Sequence, residues 1–298
     1  MIFFDYETPT GFKFQHLDVE GEFLFVESDK LPQTLEFIRA YGPIRLALNP
    51  QHGFKLRNLD FLRGIEPLIK GLAIVDDTLD LHGLEQCVNL HYLQLPLGTD
   101  QPLDFSQFPQ LNHLRLHWKR RYSQVTFPSS LVQLHLWGYP STGGFNEASL
   151  ANLRGVTNLS LVKTTVEDLS LLQHCGPLVR VDVAYAQGLH DISALALHAD
   201  TLRWLELEKC KKIKSFSPLD QLSQLQWLNL IDCQAIPSVS FVQQLPALKH
   251  FVFRGTVVED GNLSFLKDLK QVVFNNKPHY SLKQKDFEYD WSYKGYSW

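Results

Sequence analysis

The 298-residue chain predicts a curved α/β solenoid. Each repeat stacks on its neighbours, and a cap closes each end. Three observations predict it. The pattern L-x-x-L-x-L recurs ten times, with first positions running from Ile69 to Leu269 at steps of 20 to 25 residues. A polar–apolar–Ser triplet repeats in phase with it through the C-terminal half. Composition is globular, with 44% hydrophobic and 20% charged residues, which excludes a mostly disordered chain.

The elements follow in chain order. Residues 12–26 read as a hairpin, Phe14 to Val19 and Phe23 to Val26 about a Glu20-Gly21 turn. Leu31 to Tyr41 reads as a short amphipathic helix, with Pro32 near its start and Leu31, Leu35 and Ile38 on one face. Residues 1–40 thus form an N-terminal cap over the apolar end that a solenoid would otherwise expose. A weak copy of the repeat at Tyr41-Ile44-Leu46 leads into the strong ones, so repeats span 41–276. In the later repeats the triplets Asp168-Leu169-Ser170, Asp191-Ile192-Ser193, Ser215-Phe216-Ser217, Ser238-Val239-Ser240 and Asn262-Leu263-Ser264 open the convex turns. Their polar side chains suit the free amides at the start of such a turn. Residues 277–298 break the period and carry six aromatics between Phe287 and Trp298, read as a C-terminal cap or a docking tail. One domain, 1–298, results.

This pattern resembles the leucine-rich repeat family, and within it the internalin-type repeat of about 22 residues with its D-I-S-x-L turn. The resemblance covers residues 41 to 276 and implies a bacterial protein and a curved horseshoe, with a parallel strand from each repeat lining a concave face and short helical, 3-10 or irregular segments on the convex side. The chain departs from the family in the asparagine ladder. The eighth residue after the first Leu is Asn49, Cys210 or Cys233 in places, but Lys119, Tyr139, Thr164 or Ala186 elsewhere.

Several functions are excluded or disfavoured. Lys plus Arg number 28 against 32 Asp plus Glu, a net charge of −4, which lacks the overall basic footprint of a nucleic-acid binder. No apolar run is long enough for a membrane span, and Met1 to Glu7 has no basic, extended apolar signal, so a cytoplasmic chain is expected. Phosphate-loop, dinucleotide, zinc-protease and serine-hydrolase motifs are missing. No cysteine follows Cys233, which removes the repeat-bearing ubiquitin ligases that need a nucleophile in a further C-terminal domain. A non-enzymatic chain without cofactor is expected. The four cysteines read as reduced packing residues, Cys210 and Cys233 at equivalent sites of neighbouring repeats. His113, His117 and His135 fall on neighbouring strands, but Arg115 and Trp137 stand beside them, so they read as contact residues and not as metal ligands. The insertion Gly138 to Gly144 reads as a mobile rim loop.

Side chains alternate along a strand, so residues flanking the leucines face outward and stack in columns. One column holds Tyr92, His113, Arg180, Trp204, Trp227 and His250. The next holds Arg115, His135, Asp182, Glu206 and Asn229. The third holds His117, Trp137, Glu208 and Arg254, with Asp232 at the strand exit, and Tyr139 at the eighth position counts as a further contact residue. The face turns basic towards the N-terminus, where Lys119-Arg120-Arg121 forms the rim, and acidic around the two Trp. Trp and Arg dominate interface hot spots. The expected function is therefore protein binding by a monomer, to an unknown partner with a basic segment. A carbohydrate or small ligand between indoles and carboxylates is the alternative.

Overall fold

The computed structural model describes residues 3–17, 21–97 and 103–287. The aromatic tail beyond Phe287 lies outside them. The chain divides between Leu134 and His135 into two compact units, and each is described by itself.

The first unit opens with three strands, β1 (Phe3–Glu7), β2 (Lys13–Leu17) and β3 (Gly21–Phe25), paired antiparallel in order. The hairpin legible in sequence is β2–β3, and β1 adds a strand to its edge. Helix α1 (Leu31–Tyr41), with proline in its first turn, carries the chain across to β4 (Ile44–Leu48). From β3 onward pairing is parallel, through β5 (Ile69–Ile74), β6 (Tyr92–Gln94) and β7 (His113–His117). Strand β8 (Gln133–Trp137) straddles the division.

The second unit continues with α2 (Glu147–Ala151) and six strands: β9 (Asn158–Val162), β10 (Arg180–Ala184), β11 (Trp204–Glu208), β12 (Trp227–Ile231), β13 (His250–Val252) and β14 (Gln271–Val273). They pair parallel and without register shifts, so Asn158, Arg180, Trp204, Trp227, His250 and Gln271 form one row. The leucines of each pattern are buried, among them Leu159, Leu161, Leu205, Leu207, Leu228 and Leu230. Each such side chain contributes about 1.5–3 kcal/mol of burial.

Three devices recur from repeat to repeat. On the convex side the triplet serines open 3-10 turns, Ser170–His174, Ser193–His198, Ser217–Gln221, Ser240–Gln244 and Ser264–Leu266. The first triplet residue (Asp168, Asp191, Ser215, Ser238 or Asn262) accepts from the serine amide. At the strand exits, Gly138, Lys163, Tyr185, Lys209, Asp232 and Gly255 all adopt positive φ. Five of them, all but Gly255, donate their N–H to the next repeat's carbonyl, as Lys163 does to Ala184 and Lys209 to Ile231. Non-glycine residues accept a cost of about 1–2 kcal/mol there because the bond they gain extends the parallel ladder.

One residue further on lies the inward ladder. Thr164 donates to the Tyr139 carbonyl, Cys210 to Val183, Cys233 to Leu207 and Thr256 to Leu230. Hydroxyls and thiols thus stand where the family has asparagine and reach back one repeat, Cys210, Cys233 and Thr256 to the last apolar residue of the strand pattern and Thr164 to the ladder residue Tyr139.

At the far end the Gln284 side chain takes the place of a further strand. Its Oε1 accepts from the Phe274 amide at 2.8 Å and its Nε2 donates to the Val272 carbonyl at 2.9 Å. That covers part of the free edge after β14. Tyr280 is buried against Phe253 and Phe274, and its hydroxyl accepts from the Val258 amide.

Candidate functional site

On the outward sheet face of the second unit, four flat groups stack in one row. The Arg180 guanidinium lies 4.6 Å from the Trp204 ring centroid. Trp204 and Trp227 are stacked at 4.6 Å and 15°, and Trp227 and His250 at 4.1 Å and 18°. The register forces this: side chains that share a row on parallel strands repeat about every 4.8 Å, the thickness of a stacked pair. His250 Nδ1 then meets Gln271 Oε1 at 3.2 Å. Trp204 is 1% exposed and His250 2%, so sandwiching removes from solvent side chains whose strand position points outward. Trp227 stays partly open.

Beside the stack runs a polar row. Arg180 Nε donates to Asp182 Oδ2 at 2.7 Å. Trp227 Nε1 donates to Asn229 Oδ1 at 2.9 Å, and Asn229 Nδ2 donates to Glu206 Oε2 at 2.8 Å. Burial raises the pKa of Asp182, against the opposing pull of Arg180 and of the Trp204 indole. Burial also raises Glu206, and the Asp182 charge adds to it. A fifth of the Asp182 side chain is still accessible, so these carboxylates line the floor of an open face. Glu208 and Lys209 stand at the exit, 3.8 Å apart, and Lys209 also sits over the Tyr185 ring and donates to its hydroxyl. Asp232 occupies a left-handed exit and Arg254 is exposed.

The structure places the remaining predicted residues elsewhere. Tyr92 is 3% exposed, in an apolar cluster with Phe23, Phe25, Ala47 and Ala73 on the outward face of the first unit. Its ring meets Phe23 at 4.9 Å and His113 at 4.8 Å. Burial, with Arg115 and Arg45 nearby, lowers the His113 pKa to about 3, so this histidine is neutral at pH 7. Burial likewise lowers His117. The basic character expected of that half therefore comes from Arg45, Arg115 and the 119–121 run, and not from those two histidines. His135 and Trp137 are half-buried with ring centroids 6.3 Å apart, and Lys163 lies over the Trp137 ring.

Tyr139 is not a face residue. It holds the inward ladder position, is buried, and its hydroxyl accepts from the Phe145 amide at 3.0 Å. A Cβ at Gly144 would collide with that hydroxyl. The rim loop is thus pinned by Tyr139 and Phe145, whose rings lie 5.1 Å apart, and is not the free arm expected.

Arg45, Ala47, Gly71 and Ala73 precede Tyr92, on strands where the repeat pattern is weak or only beginning. Pairing through the weak early repeats aligns Arg45 with Gly71 and Ala47 with Ala73. A Cβ on Gly71 would come within 2.8 Å of Arg45 Cγ, so the glycine makes room for the arginine stem. In the same columns the small side chains of Ala47 and Ala73 leave room for Phe23 and Phe25.

Among the described residues no group of three or more His, Cys, Asp or Glu side chains is placed to hold a metal ion, and no helix is long and apolar enough to cross a membrane. No protein-family model and no curated protein matches the chain. Among solved structures it is similar to an internalin (inlF) from Listeria monocytogenes, with a TM-score of 0.51 and 18% identity over 82% of this chain and 78% of that one. It is also similar to internalin C2 (inlC2) of the same organism, with a TM-score of 0.47 and 21% identity over 70% of this chain and 82% of that one. The inlF likeness is one of fold, and it agrees with the strand-per-repeat sheet, the 3-10 turns and the inward ladder. The chain has the internalin type of leucine-rich repeat fold.

Proposed function

We propose that the outward sheet face of the second unit docks another protein, and that the chain is a non-enzymatic interaction module. The observation that carries this reading is the Arg180–Trp204–Trp227–His250 stack with the Asp182, Glu206 and Asn229 row along its side. The stack is a rigid apolar ridge that loses little side-chain entropy on binding, because its members are already held. The carboxylates and Glu208 supply charge for register and steering. A partner with a lysine- or arginine-bearing segment fits that charge. The fold itself is compatible with protein–protein interaction in general.

The stack also argues against a sugar site. Sugar rings pack on open aromatic faces, whereas both faces of Trp204 and both of Trp227 are covered by neighbours in the row. Only indole edges remain. A monomeric cytoplasmic chain belongs to the same reading, and four free thiols suit a reducing compartment.

The test uses accessible positions and spares the stack. Glu208→Lys with Asp232→Lys should abolish capture of the parent chain's partner from lysate while leaving the far-UV spectrum and melting temperature unchanged. Lys214→Glu, on the convex side, should leave capture intact. Equal capture by the parent and the double variant would overturn the site.

A further inference from the structure

The inward ladder contains one place where two thiols succeed each other. Cys210 and Cys233 hold equivalent positions after β11 and β12, one strand apart. Neighbouring strands lie about 4.8 Å apart, inside the 4.4–6.8 Å Cα separation that a disulfide spans. Both side chains point inward and reach back along the ladder. Cys233 Sγ lies 3.1 Å from the Leu207 carbonyl, in the repeat that carries Cys210, and Cys210 Sγ lies 3.6 Å from the Val183 carbonyl. The neighbouring thiol lowers the Cys233 pKa and, together with burial, raises that of Cys210.

The other two cysteines differ. Cys87 belongs to the first unit, and Cys175 donates only to its own turn at Leu171. Burial pushes both thiols up to about 12.

We infer that Cys210 and Cys233 form an oxidisable dithiol that closes into a disulfide between neighbouring repeats when the chain meets hydrogen peroxide. Cys233 is the entry point, since it keeps 9% of its surface while Cys210 has none. The Cys233 thiolate attacks one oxygen of hydrogen peroxide, the O–O bond breaks, and the displaced hydroxide takes up the proton the thiol had released and leaves as water, giving a sulfenic acid. The Cys210 sulfur then attacks the Cys233 sulfur, the S–S bond forms, the S–O bond breaks, and a second water leaves. Two thiols lose two hydrogens and one peroxide becomes two waters. The bridge ties together the repeats that carry Trp204 and Trp227, so it stiffens the strand pair under the stack whatever the stack binds.

The experiment treats the folded full chain with hydrogen peroxide, denatures it in N-ethylmaleimide, and maps the peptides by mass spectrometry. The expected result is loss of two of the four alkylatable thiols, a Cys210–Cys233 cross-linked peptide, and full recovery with dithiothreitol. Cys210→Ser should give no cross-link and should let a dimedone probe label Cys233. Four alkylatable thiols after a peroxide dose that oxidises free glutathione in the same tube would overturn the proposal. So would irreversible sulfinic acid at Cys233 of the parent chain without a cross-link.

Discussion

Trp204→Ala tests whether the stack holds the second unit together as well as presenting a surface. The indole is 1% exposed, lies between the Arg180 guanidinium and the Trp227 ring, and has Leu205 and Leu207 of its own strand in the core. Truncating a buried Trp costs about 3–5 kcal/mol, a range that already contains its lost stacking. Loss of the cation–π contact to Arg180 adds about 1 kcal/mol, offset as water reaches the guanidinium and its Asp182 partner. The expected net loss is about 4 kcal/mol. With a urea slope of about 3 kcal/mol/M, the midpoint of unfolding should fall by roughly 1.3 M. Far-UV circular dichroism in urea at pH 7 reads it. Trp227→Ala should cost less, because that ring is already partly solvated. A shift under about 0.3 M for Trp204→Ala, or a larger loss at Trp227, would refute the reasoning.

Other outcomes follow from the same geometry. Asp182 and Glu206 both have raised pKa values, so between their unfolded values near pH 4 and their higher folded ones the native chain holds more protons than the unfolded chain. Stability should therefore decline as pH rises through that window, and Glu206→Gln should flatten the decline; an unchanged slope of urea midpoint against pH contradicts this. Gly138→Ala and Gly255→Ala both place a side chain at positive φ, which costs about 1 kcal/mol. Only at Gly255 would the new Cβ also strike the Asp232 carboxylate, whereas at Gly138 nothing lies within 4 Å. The Gly255 variant should lose clearly more in thermal melting, and equal losses would contradict the reading. Gly144→Ala should displace Tyr139 and expose the 140–145 loop to limited proteolysis at sites protected in the parent.

Much of this structure is legible in the sequence, because a repeat reports its own register. Alignment of the L-x-x-L-x-L copies places Arg180, Trp204, Trp227, His250 and Gln271 in one row, and the strands pair them so. Alternation tells which side of a sheet a residue leaves from, but not how far its neighbours will cover it. For that reason Trp204 and His250 leave the sheet outward and are nonetheless buried. The left-handed exits were hidden for a different reason. Lys163, Tyr185, Lys209 and Asp232 carry no glycine signal, and the hydrogen bond to the next repeat overrides their preference. Tyr139 shows the cost of ignoring the ladder column, since its equivalents Thr164, Ala186, Cys210 and Cys233 are all buried. Gln284 lies beyond the last copy, where period carries no information, and only the fold brings its amide to the edge of β14.

The central claim is that a protein partner sits on the outward face of the second unit. A photo-cross-linking amino acid at position 208, on that face, and at position 214, on the convex side, compares the two surfaces in the same lysate. The account predicts one discrete cross-linked protein adduct from position 208, lost when Glu206 is changed to Lys, and none from position 214. Adducts from position 214 alone, or adducts from 208 that persist in Glu206→Lys, would contradict it.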